Sequence, residues 1–239
     1  MKKEIIISGF GGQGVLSMGK ILAYSGLMED KEVTWMPAYG PEQRGGTANV
    51  TVIVSDERIS SPILSKYDIA VVLNQPSLEK FEPKIKPGGI LIYDGFGIIN
   101  KPTRKDITIY EINAMDKAAE MKNGKVFNMI VLGGLLKVAP VVSDKGVEKA
   151  LKKTLPERHH ALIPLNMEVV KLLPLLKVSF YLDFSGFSWE FSLFSSFLNN
   201  ILMFWNGPNN ETISPFSIVL SFEIGRYSSF LLTITAVMP

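Results

Sequence analysis

The 239-residue chain contains no cysteine. It therefore carries no disulfide, no thiolate nucleophile, no thiolate zinc site and no cysteine-ligated iron–sulfur cluster. Any redox centre that works with this chain has to sit on another one. Histidine is almost as scarce, with only His159 and His160. Adjacent histidines cannot easily grip one metal from a regular element, and no carboxylate pattern completes a site, so no metal is expected. The net charge is only +2 and no basic stripe appears, which argues against a nucleic-acid partner. No serine stands in a G-x-S-x-G between a strand and a helix, which disfavours hydrolase chemistry. Long apolar runs are missing too. Asn199 and Asn200 interrupt one, Glu223 and Arg226 the next, and neither leaves the roughly 18 clean residues of a membrane span. The opening Met1–Gly9 has basic residues followed by an apolar run too short for a signal-peptide core. It reads as a first buried strand, and the expected compartment is the cytoplasm.

What is present is a globular composition, 46% hydrophobic and 20% charged, long enough for one α/β core or two small domains. The composition changes near Lys171. Residues 173–239 hold ten of the fourteen Phe and two of the three Trp, with only six charged residues. Stretches such as 191–198 keep no helical or strand period. The chain is therefore read as an α/β domain over 1–172 and an aromatic-rich tail over 173–239. An accessory element, a membrane-surface segment and a non-native extension are all open for the tail, and the last is favoured.

Within 1–172, runs of β-branched and aliphatic residues predict strands at Ile5–Ser8, Glu32–Met36 (stopped by Pro37), Thr47–Val54, Ile69–Leu73, Ile90–Tyr93 (after a Pro87-Gly88-Gly89 turn) and Ile107–Tyr110. Helical spacing predicts helices at Gly14–Leu27, Gln75–Ile85, Met115–Met121, Val126–Val138, Ser143–Lys153 and Leu165–Leu172. This alternation implies a doubly wound, mostly parallel sheet with helices on both faces, Rossmann-like, with ligands beyond the carboxyl ends of the strands.

Two loops stand at that edge. Gly9-Phe10-Gly11-Gly12-Gln13-Gly14 matches G-x-G-x-x-G between a strand and a helix. Backbone N–H groups and the helix dipole at such a turn suit an anion, although glycines also simply permit a tight turn. A dinucleotide site calls for an acid at the end of the second strand. That position reads Trp35-Met36-Pro37, and Glu29, Asp30 and Glu32 come before the strand. The second loop, Tyr39-Gly40-Pro41-Glu42-Gln43-Arg44-Gly45-Gly46, joins strands two and three. Glu42 and Arg44 are too few for acid–base catalysis, but two glycine-rich loops on one edge form a concave surface. Asp94 ends a strand there and is read as a cap more than as a ligand. Gly133-Gly134 is read as a site of close helix packing. His159 and His160, beside Glu157 and Arg158, are read as part of an interface or a helix start.

Taken together, Gly9–Val15, Tyr39–Gly46 and Val54-Ser55-Asp56 resemble the γ subunit of the 2-oxoacid:ferredoxin oxidoreductases, the group of pyruvate, 2-oxoglutarate and ketoisovalerate enzymes. Pro87-Gly88-Gly89, Tyr93-Asp94 and Pro156–His160 bring it nearest the 2-oxoglutarate branch. The resemblance covers about 1–172 and does not extend into the tail. It implies a non-autonomous subunit of a complex that cleaves a 2-oxoacid with thiamine diphosphate and magnesium, forms acyl-coenzyme A and reduces ferredoxin through iron–sulfur clusters. Those cofactors and the catalytic residues would belong to α and β partner subunits, with δ as an optional further member, and none to this chain. The site residues it implies here are Gly9, Gly11, Gly12, Gln13, Gly14, Tyr39, Gly40, Pro41, Glu42, Arg44, Gly45 and Gly46, near coenzyme A or the neighbouring subunits. An indolepyruvate:ferredoxin oxidoreductase subunit and a free-standing dinucleotide-binding oxidoreductase are the alternatives.

Overall fold

A computed structural model describes residues 1–39, 46–171, 176–182, 217–224 and 230–237, with the backbone alone for Tyr39 and the last three segments. The strands are β1 (Lys2–Phe10), β2 (Glu32–Tyr39), β3 (Thr47–Ser55), β4 (Tyr67–Val72), β5 (Ile85–Asp94) and β6 (Thr108–Ile112). The helices are α1 (Val15–Leu27), α2 (Gln75–Phe81), α3 (Ala114–Glu120), α4 (Phe127–Val138), α5 (Asp144–Thr154) and α6 (Ile163–Lys171). The backbone of the aromatic-rich segment adds β7 (Leu176–Leu182), β8 (Ser217–Ile224) and β9 (Phe230–Val237). The irregular stretch 191–198 lies outside the described residues.

All nine strands join one sheet in the order β2-β3-β1-β4-β5-β6-β7-β9-β8. β1, β4, β5 and β6 are parallel neighbours, while β3 is antiparallel to both β1 and β2. β2 therefore runs with β1, and within 1–171 only β3 is reversed. This is the expected mostly parallel α/β sheet, modified by a β2–β3 pair that tucks β3 between β2 and β1. Beyond β6 every pairing is antiparallel.

Two features differ from the reading of the sequence. β2 continues through Pro37 instead of stopping there. It stands at the end of the sheet order, where a residue without an N–H removes no ladder bond if its nitrogen faces outward. Pro87-Gly88-Gly89 is not a turn between elements but part of β5, which passes it with a register shift against β4 and with Gly88 at φ 73°. That left-handed backbone explains the glycine.

The interior is built on β1. Ile5, Ile6 and Ile7 are completely buried, because the sheet is covered on both faces. Ile5 and Ile7 pack with α1, α3, α4, α5 and α6, whereas Ile6 packs on the other face with Leu78 and Phe81 around α2. Each such side chain contributes about 1.5–3 kcal/mol. The helical layer is close-packed. A β-carbon on Gly19 would meet Val50 Cγ1 at 2.5 Å, and one on Gly133 would collide with the Val170 carbonyl, so α4 and α6 touch backbone to backbone. Ser143 caps α5, and Glu29 accepts from its N–H and its hydroxyl, both at 2.6 Å.

A charge cluster fastens the opposite end of the sheet. Lys86 Nζ lies 2.6 Å from Glu4 Oε2 and 2.6 Å from Asp68 Oδ1, and Lys2 Nζ lies 2.6 Å from Glu4 Oε1. Burial pushes the Glu4 carboxyl up, but hydrogen bonds and charge from Lys2 and Lys86 outweigh it and hold it below the ordinary range. A lowered carboxylate contributes stability above its unfolded pKa and loses it as pH falls through the folded one. Glu4→Gln is expected to cost about 1–2 kcal/mol near neutrality and much less in acid, so urea-unfolding curves of the two proteins should converge as pH falls below the ordinary carboxylate range. Gly133→Ala should lose about 1–3 kcal/mol through overpacking against Val170. Gly124→Ala, with nothing within 4 Å of the added carbon, serves as the neutral control in the same denaturation series.

Candidate functional site

The carboxyl ends of β1, β4 and β5 form one edge, and the first glycine loop crosses it. β1 ends at Phe10 and α1 begins at Val15, so four residues turn the chain. Gly12 and Gly14 take φ of 102° and 75°, a region in which a side chain is strained. The glycines divide into two kinds. A β-carbon on Gly9 would sit 2.5 Å from Gln13 Oε1 and 3.0 Å from Leu73 Cβ, and one on Gly14 would sit 2.8 Å from Asn128 Cβ. One on Gly12 would meet nothing within 4 Å, and Gly12 is exposed. Gly9 and Gly14 therefore serve internal packing, while Gly12 is the point at which another molecule can approach the backbone.

Gln13 points inward. Its Oε1 accepts from Phe10 N–H at 2.6 Å, and its Nε2 donates to the Leu73 carbonyl at 3.2 Å, across to the end of β4. The same carbonyl leaves no room for a side chain at Gly97, in the connection after β5. Asn74 follows, capping α2 by accepting from Ser77 N–H at 2.9 Å, while its buried Nδ2 has no hydrogen-bond partner. Gln75 Oε1 accepts from Ile99 and Asn100 N–H at 3.0 and 2.9 Å, which ties down the segment after β5.

The second loop starts beside the first. Gly11 N–H donates to the Gly46 carbonyl at 2.9 Å, and Phe10 pairs with Thr47 in the β1–β3 ladder. Tyr39 ends β2 on the same edge, because β2 runs with β1. Gly40, Pro41, Glu42, Gln43, Arg44 and Gly45 lie outside the described residues. The geometry thus brings together Gly9, Gly11, Gly12, Gln13, Gly14 and Gly46 and places the backbone of Tyr39 nearby. Leu73, Asn74, Gln75, Gly97 and Asn128 complete the edge and were missed in the sequence. The Gly95-Phe96-Gly97 run directly after a strand was the one signal that could have pointed there.

Among the described residues on this edge, Asp94 and Glu111 have partners within the chain. Asp94 accepts from Ala114 N–H at 2.8 Å and Met115 N–H at 3.2 Å, which is the capping role expected of it. Burial pushes its carboxyl above the ordinary range despite those bonds. Glu111 accepts from Tyr93 Oη at 2.7 Å and from Lys101 Nζ at 2.9 Å. The reading as a dinucleotide site fails on topology as well as on composition. β3 lies between β1 and β2, which moves the end of β2 one strand, about 4.8 Å, farther from the first loop. Glu29 is taken up in capping α5. His160 Nε2 sits 3.0 Å from the Leu155 carbonyl in a turn of 3₁₀ helix that leads into α6, in keeping with a helix-start role for that segment. Among the described residues no three His, Asp or Glu side chains gather as for a metal, and no helix is long and apolar enough to cross a membrane.

An open glycine at the start of a 13-residue helix can hold an anion through N–H groups, but supplies neither nucleophile nor proton carrier. Comparison with known proteins finds the relatives of this chain among oxidoreductase subunits. Residues 4–172 match the family described as pyruvate ferredoxin/flavodoxin oxidoreductase. The chain is 38% identical over 160 residues to the 2-oxoglutarate synthase subunit KorC of Methanocaldococcus jannaschii, covering 66% of this chain and 86% of that one. It is 34% identical over 169 residues to the ketoisovalerate oxidoreductase subunit VorA of Methanothermobacter marburgensis, covering 70% of this chain. It spans only 35% of that relative's length. The crystal structure of a keto/oxoacid ferredoxin oxidoreductase γ subunit from Geobacter sulfurreducens superposes with a TM-score of 0.61 at 27% identity, covering 71% of this chain and 94% of that one. The chain belongs to the pyruvate ferredoxin/flavodoxin oxidoreductase family and corresponds to the γ subunit of the 2-oxoacid:ferredoxin oxidoreductases.

Proposed function

We propose that this chain is the γ subunit of a complex that oxidatively decarboxylates a 2-oxoacid, with 2-oxoglutarate the favoured substrate, to acyl-coenzyme A and passes the electrons to ferredoxin. The observation that carries this is the joined pair of glycine loops, linked through Gly11 and Gly46 at the carboxyl ends of the strands, on an edge where, among the described residues, Asp94 and Glu111 are engaged internally. Such an edge shapes and holds but does not catalyse. Decarboxylation and electron transfer need thiamine diphosphate and iron–sulfur clusters, and a chain without cysteine cannot ligate such clusters through thiolates. Those groups are assigned to the partner subunits.

The residues here fit one part of coenzyme A. The exposed Gly12 and the amino end of α1 offer N–H groups and a positive dipole end suited to a diphosphate. When bound, the coenzyme supplies the thiol that accepts the acyl group. This chain holds the carrier's anionic end and contributes a wall of the site. The name of the KorC relative, 2-oxoglutarate synthase subunit, supports the choice of substrate. The segment 173–239 falls outside the matched region, and no part of the enzyme function is assigned to it.

The isolated chain is expected to turn over no 2-oxoacid, and co-expression with its partner subunits should restore coenzyme A-dependent ferredoxin reduction. Decarboxylation by the chain alone would refute the subunit reading. In the reconstituted complex, Arg44→Ala should reduce activity by about fivefold to tenfold while the unfolding transition of the chain stays in place. Truncation after Lys171 should leave activity unchanged, which a ferredoxin-reduction assay on the truncated complex would measure.

A further inference from the structure

Gln13 is placed differently from everything around it. The residues on either side of it in the loop are glycines, and the open one, Gly12, faces outward. A side chain at Gln13 could have faced outward too, as a ligand. Instead its carboxamide is turned under the loop and bonded at both ends, to Phe10 N–H at 2.6 Å and to the Leu73 carbonyl at 3.2 Å. Gly9 has to be glycine for this to happen, because any β-carbon there would stand 2.5 Å from Gln13 Oε1. The chain thus gives up a side chain on β1 to make room for the amide of Gln13.

The contact is also a bridge. Phe10 N–H stands at the carboxyl end of β1, whereas Leu73 O stands at the end of β4, and 60 residues separate Gln13 from Leu73. Leu73 N–H in turn donates to the Ser8 carbonyl at 2.9 Å, so the far end of the bridge is anchored in the parallel ladder. Other ties on the first turn are Gln13 N–H to the Phe10 carbonyl at 3.2 Å and Gly11 N–H to Gly46, where the second loop rejoins β3. Glycines alone leave such a turn with many conformations. The amide of Gln13 selects one.

We propose that Gln13 is a positioning residue: it does not touch a ligand, but latches the first glycine loop to the end of β4 and so holds Gly12 and the amino end of α1 in the binding conformation. The inference rests on the anion-binding part of the function proposed above. Its consequence is quantitative. If only a fraction of loops is correctly placed, the apparent dissociation constant of the ligand rises by the inverse of that fraction, while the chemical step on bound ligand is unchanged.

Two variants in the reconstituted complex test it. Gln13→Met keeps the length and removes both hydrogen bonds. Gln13→Glu keeps an acceptor for Phe10 N–H but sets a carboxylate oxygen against the Leu73 carbonyl. Both should raise KM for coenzyme A by at least about tenfold, the effect of losing one well-placed hydrogen bond or more, with kcat within about twofold of the parent and full turnover recovered at saturating coenzyme. Hydrogen exchange gives a readout independent of turnover. The Phe10 amide of Gln13→Met should exchange at least about tenfold faster than in the parent, while that of Ile7, inside β1, keeps its protection. An unchanged Phe10 amide, or a fall in kcat and melting temperature with KM unchanged, would overturn the proposal in favour of a purely structural glutamine. A parent complex that never turns over would count against the proposed function alone, and the exchange experiment would still decide the role of Gln13.

Discussion

β1 has no free side. β3 and β4 occupy its two edges, and isoleucines fill the layer above it and the layer below it. A strand enclosed in this way cannot slip by one residue, because the slip would exchange the Ile5 and Ile7 face, packed under α1 and α4, for the Ile6 face packed under α2. Its carboxyl end is therefore fixed in space, and so is the start of the loop that leaves it. The glycine loop is precise because the strand beneath it is immovable.

From that point the neighbouring pieces follow by contact. Gly9 yields its side-chain volume to Gln13, Gly14 to Asn128 of α4, and Gly97 to the Leu73 carbonyl. Three connections from three strands thus pack at distances that backbone and glycine alone allow. The acidic groups that sequence patterns single out around a Rossmann-like turn are employed otherwise: Asp94 caps α3, and Glu29 caps α5 through Ser143. Among the described residues, what is left outward is the exposed Gly12, the amino end of a helix and the exposed apolar side chains of Phe10, Phe96 and Ile99. In the family the same domain is nearly the whole of one relative and about a third of another.

Most of the elements were legible because their signals are local. The β-branched runs at Ile5–Ser8 and Thr47–Val54 and the helical spacing from Val15 to Leu27 each carry their own period. Gly133 announced the close helix packing that it makes with Val170. The places where local reading went astray are those decided by neighbours. Pro37 ends a strand in isolation, yet is tolerated in a strand at the end of the sheet order. Pro87-Gly88-Gly89 is a turn in isolation, yet parallel pairing with β4 carries the strand through it.

The amino-acid sequence by itself determined the α/β class, the two glycine loops, the absence of any thiolate chemistry and the resemblance to the γ subunits, because each depends on residue type and short-range spacing. Only the tertiary structure decided that β3 lies between β1 and β2, which glycines face inward and which one faces outward, and that Gln13 bonds to Leu73 at the end of β4. Those choices depend on which segments distant in the chain become neighbours. Pairing and packing settle that through the burial of β1 on both faces, and no window of sequence contains it.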